Sequence, residues 1–186
     1  MLALEGIDQA ACLSAVERPE DLDLRVTETL PTRWLAMEAA LELVGGSPFV
    51  VVHEPDRPLI SPAWLSSVLH RSDEIEAAIT AVPAHDTIKR VDGNRIVETI
   101  PRETLHVSQT PWLFRHDVLA RAVRMAIANQ WDVSHELELA RMAGLRLELV
   151  EGQRFNQPIA SVTDARYAEI TSRLAGAAPW APLATS

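Results

Sequence analysis

Apolar residues recur every three or four positions along Thr32–Val44 (TRWLAMEAALELV), and that spacing predicts an amphipathic helix. Gly45-Gly46 then ends it. The unbroken apolar run Pro48–His53 (PFVVVH) predicts a strand buried on both faces. Ser61-Pro62 opens the next helix, with serine as the cap and proline in the first turn. Glu76–Val82 (EAAITAV) predicts another buried strand. From Asp86 to Arg102 the pattern changes to two polar arms rich in β-branched residues, Thr87–Val91 and Arg95–Ile100. Asp92-Gly93-Asn94 between them is a hairpin turn. The following stretch, TLHVSQTPWLF, is extended, with a break expected at Pro111. Helices are predicted at His116–Gln130 and at Ser134–Ala143, the second capped by Ser134. A strand at Leu145–Val150 and an amphipathic helix at Thr163–Leu174 close the pattern. Nearer the start, Ala11–Val16 and Leu24–Val26 are short strand candidates.

Strands alternating with helices predict an α/β fold around a mainly parallel sheet. In such sheets ligands gather beyond the carboxyl ends of the strands. That directs attention to His53-Glu54-Pro55-Asp56-Arg57, directly after the most apolar strand, and to the segment around Thr87.

Composition narrows the function classes. A chain of 186 residues with 47% apolar content fits one domain with a proper core, over residues 1–176. The Ala/Pro-rich end, 177–186, reads as a tail. A net charge of −9 disfavours nonspecific binding to nucleic acid or to anionic membrane. No run of 18 apolar residues and no secretory leader pattern is visible, so the expected location is cytoplasmic. Cys12, the only cysteine, excludes an internal disulfide. The six histidines lack ligand spacing, so no metal site is expected from them. Lys89 is the only lysine among 17 basic residues. Read alone, His53 is a structural histidine, and Glu136 and Glu138 belong to a solvated helix face. Trp34, Trp64 and Trp112 fill the core or an interface.

Three stretches together resemble a known family. VVVHEPDRPL resembles its His-Asp-Ala-Ala-Arg-Pro segment. AVPAHDTIKRVDGNRIVETIPRETLHVSQTPWLFR resembles its next block, which begins Asp-Thr-Ile-Lys-Arg and ends Gln-Thr-Pro-Gln-x-Phe-Arg. LELVEGQRFNQPIASVTDARYAEI resembles its closing Val-Glu-Gly…Asn-Ile-Lys segment and last helix. The family is that of the 2-C-methyl-D-erythritol 4-phosphate cytidylyltransferases. They join a cytidine nucleotide from CTP to methylerythritol phosphate in the non-mevalonate route to isoprenoids.

The resemblance implies a Rossmann-like, three-layer nucleotidyltransferase sheet and a protruding hairpin arm, here about 86–102, that interlocks two subunits. It implies substrate contacts for Thr87 and Arg102 on the arm, and for Glu54 and Arg57 after the strand. It implies Mg²⁺ as cofactor if the chain is active, and otherwise none. The partners it implies are a second copy, or a full-length relative, docked through the arm; CTP and methylerythritol phosphate follow only with activity.

Departures are equally specific. Glu54 stands for the family's aspartate, and Pro55 and Asp56 for two alanines. Pro158 stands for the lysine of Asn-Ile-Lys, Ala36 for a serine, Trp112 for a glutamine and His135 for an aspartate. The Gly-rich loop that cradles the triphosphate in the family has no visible counterpart. Nucleotidyl transfer rests on positioning and charge neutralisation. The expectation is therefore a divergent member with weak or absent catalysis, or else a non-catalytic dimerising scaffold or regulator of a full-length enzyme.

Overall fold

The computed structural model describes residues 30–70 and 75–174. The strand candidates Ala11–Val16 and Leu24–Val26, together with Cys12 and the tail, lie outside them. The chain divides into two compact units, Met1–Pro48 with His116–Gly144 and Phe49–Arg115 with Leu145–Ser186.

The described part of the first unit is helical. Helix α1 spans Arg33–Leu43, and the Thr32 hydroxyl caps it by accepting from the Leu35 amide. Gly46, at φ +95°, follows its end, a backbone region that glycine enters without a Cβ penalty. Helix α3 spans His116–Ala128 and α4 spans Glu136–Met142. Leu119, Ala122, Val123 and Ala126 form the buried stripe of α3, at the i, i+3, i+4, i+7 spacing of an amphipathic helix. Helix α3 packs against both α1 and α4.

Two expectations for α4 are corrected. The cap is His135, whose Nδ1 accepts from the Glu138 amide, while Ser134 donates its amide and hydroxyl to the Glu138 carboxylate. Glu136 is not on a solvated face. It is fully buried and takes three bonds of 2.8–3.1 Å from Arg33. The hydrophobic pattern gave no warning, because a buried charge needs a partner 103 positions away in the chain.

The second unit holds the sheet. Strands β1 (Phe49–Val52), β2 (Ala77–Pro83), β5 (His106–Arg115) and β6 (Leu147–Glu151) lie in the order β1-β5-β2-β6. Strands β1, β2 and β6 share one direction, as an α/β reading requires. Strand β5 runs against them, so it pairs antiparallel with both β1 and β2. Among the described residues β1 is an edge strand, and Val51 is 39% exposed rather than buried on both faces.

Helix α2 (Pro62–Leu69) starts as expected, with the Ser61 hydroxyl accepting from the Trp64 amide. Val68, Ile75, Ala78 and Leu113 form a core cluster, against which Phe49, Trp64 and Val150 pack. Trp34 and Trp112 are buried, the first in the helical unit and the second in β5. Helix α5 (Val162–Leu174) ends the described chain. Among the described residues no helix is long and apolar enough to cross a membrane.

The hairpin forms as predicted. Strands β3 (Ile88–Asp92) and β4 (Arg95–Ile100) make a separate two-stranded sheet with Gly93 at φ +56° in the turn. Cross-strand polar pairs hold it, Arg90 with Glu98 at 2.8 Å and Lys89 with Thr99 at 2.7 Å.

Pro111 does not break β5. The register with β2 jumps from Ile79↔Trp112 to Thr80↔Gln109, which leaves Thr110 and Pro111 in a bulge. A proline has no N–H to give a ladder, and the bulge removes the need for one. The Thr80 hydroxyl instead donates to the Pro111 carbonyl at 2.6 Å.

Candidate functional site

The β5 bulge sits beside two turns, the one after β1 and the one after β6. After β1, Glu54 and Arg57 face each other across one turn. The Arg57 Nε donates to Glu54 Oε2 at 2.9 Å. Its Nη1 donates to the Asn156 carbonyl at 2.9 Å. Arg57 is largely buried, with its side chain 14% exposed, whereas the Glu54 side chain is 52% exposed. Thr110, fully buried in the bulge, accepts from the Glu54 amide at 3.1 Å and donates to Glu54 Oε2 at 3.4 Å.

The turn after β6 supplies the other wall. Its Gly152 amide donates to the Ala81 carbonyl at 2.8 Å, and the Ile159 amide to the Asp56 carbonyl at 2.8 Å. Buried Gln109 fills the space beneath this turn. Its Nε2 donates to the carbonyls of Gln153 and Asn156, at 3.1 and 3.2 Å, and its Oε1 accepts from the Gln153 amide at 3.2 Å. Residue 152 must be glycine for this to fit, since a Cβ there would lie 2.4 Å from Gln109 Oε1 and 2.9 Å from Thr80 Cγ2. The Asn156 Nδ2 donates to the Thr110 carbonyl at 2.7 Å, and its buried Oδ1 has no partner among the described residues.

His53 accompanies the group, with Nε2 2.9 Å from the Arg57 carbonyl. Burial pushes the His53 imidazole below its ordinary value, against the opposing pull of the Arg57 carbonyl and the Glu54 charge. A cavity of about 280 Å³ opens on the far part of the 155–160 loop, where Pro158 lines it with Leu59, Phe155, Ile159 and Tyr167. At its edge the Ser161 hydroxyl holds the Asp164 carboxylate at 2.8 Å and lowers its pKa.

The other two predicted site residues lie at the hairpin base. Thr87 is exposed just before β3. Arg102 opens a short 3-10 turn after β4 and donates Nη1 to the His85 carbonyl. No hydrogen bond joins either to Glu54 or Arg57 among the described residues. Sequence reading missed Gln109, Thr110, Gly152 and Asn156 as site residues. The available signal was a polar pair, Gln-Thr, set directly before the Pro-Trp-Leu-Phe run of the strand.

Among the described residues no three histidine, cysteine, aspartate or glutamate side chains group to hold a metal ion. Glu54 and Asp56 are the exposed carboxylates of the turn after β1.

Comparison with known proteins agrees with this architecture. The family model of 2-C-methyl-D-erythritol 4-phosphate cytidylyltransferase matches residues 21–173. The cytidylyltransferase of Azoarcus sp. is 36% identical over 146 residues, covering 75% of this chain and 60% of the relative. That of Stenotrophomonas maltophilia is 39% identical over 144 residues, covering 75% of this chain and 62% of its own. The crystal structure of the Thermus thermophilus enzyme superposes with a TM-score of 0.72 at 28% identity, over 86% of this chain and 78% of that one. The chain spans about three-fifths of the length of the curated relatives it matches. With the family model matched over residues 21–173 and the same overall fold in a solved relative, the chain belongs to the 2-C-methyl-D-erythritol 4-phosphate cytidylyltransferase family.

Proposed function

We propose that this chain is a divergent cytidylyltransferase of the isoprenoid pathway that retains recognition of the sugar phosphate and has weak or absent cytidylyl transfer. The observation that carries the reading is the 155–160 loop. Where the family resemblance expects a lysine, Pro158 lines a cavity whose only charged neighbour is the Asp164 carboxylate, with no lysine or arginine in its wall. A preorganised cation at the transferring phosphate is worth on the order of 3–4 kcal/mol, by analogy with a lost oxyanion donor. That corresponds to roughly 10²–10³ in rate. The nearby Arg57 does not replace it, because two of its nitrogens are bonded within the protein.

On this reading Glu54 meets the substrate hydroxyls. Thr87 and Arg102 reach the sugar phosphate from the arm of a partner subunit, where a guanidinium fork suits a phosphate. A single domain over 1–176 carries the function, and the working compartment is the cytoplasm. Exposed Val91, Ile96 and Val97 support docking of the hairpin on a second copy or on a full-length relative. The same apolar ribbon favours a second reading, a non-catalytic scaffold or regulator that acts through the arm alone.

Calorimetry of the full chain separates these readings. Methylerythritol phosphate should bind, and CTP with Mg²⁺ should give little heat. Heat from neither ligand, with a stable dimer in sedimentation, selects the scaffold. Tight CTP binding contradicts the loss of the polyphosphate site.

A further inference from the structure

We propose that Arg57 is a positioning residue that aims Glu54, and that Gln109 sets Arg57 in turn through the main chain of Asn156. This rests on the sugar-phosphate reading above and names which part of the ligand the turn after β1 recognises. An arginine beside a phosphate-ester pocket invites the view that it grips the phosphate, and the geometry argues otherwise. Its Nε is bonded to Glu54 and its Nη1 to the Asn156 carbonyl, and the side chain is 14% exposed. The ion pair cancels the local positive charge. What faces outward is the Glu54 carboxylate, whose Oε2 takes the bonds from Arg57 and Thr110 while Oε1 takes none among the described residues. A carboxylate oxygen of that kind accepts from hydroxyl groups and repels phosphate.

The frame runs further back. The Asn156 carbonyl accepts from both Arg57 Nη1 and Gln109 Nε2, at 2.9 and 3.2 Å. Gln109 fills the space that glycine at 152 leaves open and bonds Gln153 in both directions. Gln109 thus fixes the acceptor that fixes Arg57, which fixes Glu54. None of Gln109's bonds reaches the open site, so its effect on a ligand is indirect.

The test uses full-length protein with Glu54→Gln, Arg57→Gln, their double variant and Gln109→Glu. The last keeps size and the Oε1 acceptor but removes both donors. The probes are methylerythritol and its 4-phosphate. Glu54→Gln and Arg57→Gln should each weaken both probes by about tenfold, the scale of a bond to a charged group. The double variant should lose no more than either single one. An Arg57→Gln loss confined to the phosphorylated probe, or losses that multiply in the double variant, would overturn the proposal.

A ligand-free readout keeps the question decidable should neither probe bind, a result that would sink the sugar-phosphate reading alone. The Arg57 Nε–H signal, assigned by its disappearance in Arg57→Gln, should exchange slowly at neutral pH. It should exchange at least about tenfold faster in Glu54→Gln and Gln109→Glu. Exchange in the unmodified protein as fast as that of the exposed arginines, or no change in Gln109→Glu, contradicts the relay.

Discussion

Replacing Gly152 with alanine tests the frame with the smallest possible addition. The new Cβ would sit 2.4 Å from Gln109 Oε1, 2.9 Å from Thr80 Cγ2 and 3.2 Å from Val82 Cγ1. Thr80 is paired with β5 on one side and β6 on the other, and Val82 with β5, so the backbone that carries them is held in place. Gln109 is the side chain that must move. It makes three buried or half-buried hydrogen bonds, two from Nε2 and one to Oε1. At about 1 kcal/mol net for each bond lost, the sum is about 3 kcal/mol, before any overpacking strain. Gly152 is not among the residues with positive φ, so backbone strain adds nothing. For a chain of 186 residues, that loss lowers Tm by about 6–12 °C. Thermal and urea unfolding followed by circular dichroism read it directly. Trimming Gln109 to alanine should remove the part of that cost due to the 2.4 Å collision, while the 2.9 Å approach to Thr80 Cγ2 leaves the rest. A Gly152→Ala protein within about 1 kcal/mol of the parent refutes the steric account of the turn.

Three further outcomes follow from other parts of the molecule. Arg33→Met strands the buried Glu136 carboxylate and should cost about 2–4 kcal/mol in urea unfolding, whereas Arg33→Met with Glu136→Met should recover most of it. The His53 imidazole is held below its unfolded value of 6.5, so the unfolded chain takes up the proton first as pH falls. Its contribution is therefore complete above about pH 6.5 and is lost as pH drops below that, and His53→Gln should flatten the stability slope between pH 7 and 5 relative to the parent. Ile96→Asp with Ile100→Asp puts charge on the hairpin arm and should convert a dimer to monomers in sedimentation; an unchanged dimer removes the arm from the interface.

The parts of this fold legible in the sequence were those governed by local rules. Helical spacing and the Gly45-Gly46 stop located α1, the Ser61 cap located α2, and Asp92-Gly93-Asn94 located the hairpin turn. What stayed hidden depends on partners far along the chain. Glu136 looks like any surface glutamate until Arg33 arrives to pair with it. Pro111 reads as a stop signal because local rules forbid its missing N–H, yet a bulge opposite Thr80 accommodates it. At the site, Glu54 and Arg57 stood out by their position after an apolar strand. Gln109, Thr110 and Asn156 did not, since their role is to bond one another, Gln153 and Glu54 across 44 to 56 positions of sequence. Polar residues of that kind are recognised only when the three-dimensional frame is visible.

The most direct test of the central claim is the rate of pyrophosphate release from CTP, Mg²⁺ and methylerythritol phosphate, measured beside the Azoarcus relative under identical conditions. With Pro158 where a phosphate-binding lysine is expected, in a cavity lined by no lysine or arginine, this chain should turn over at least about 100-fold more slowly. A rate within about tenfold of the relative would mean that its polyphosphate is stabilised by groups other than those described, and the account would fail.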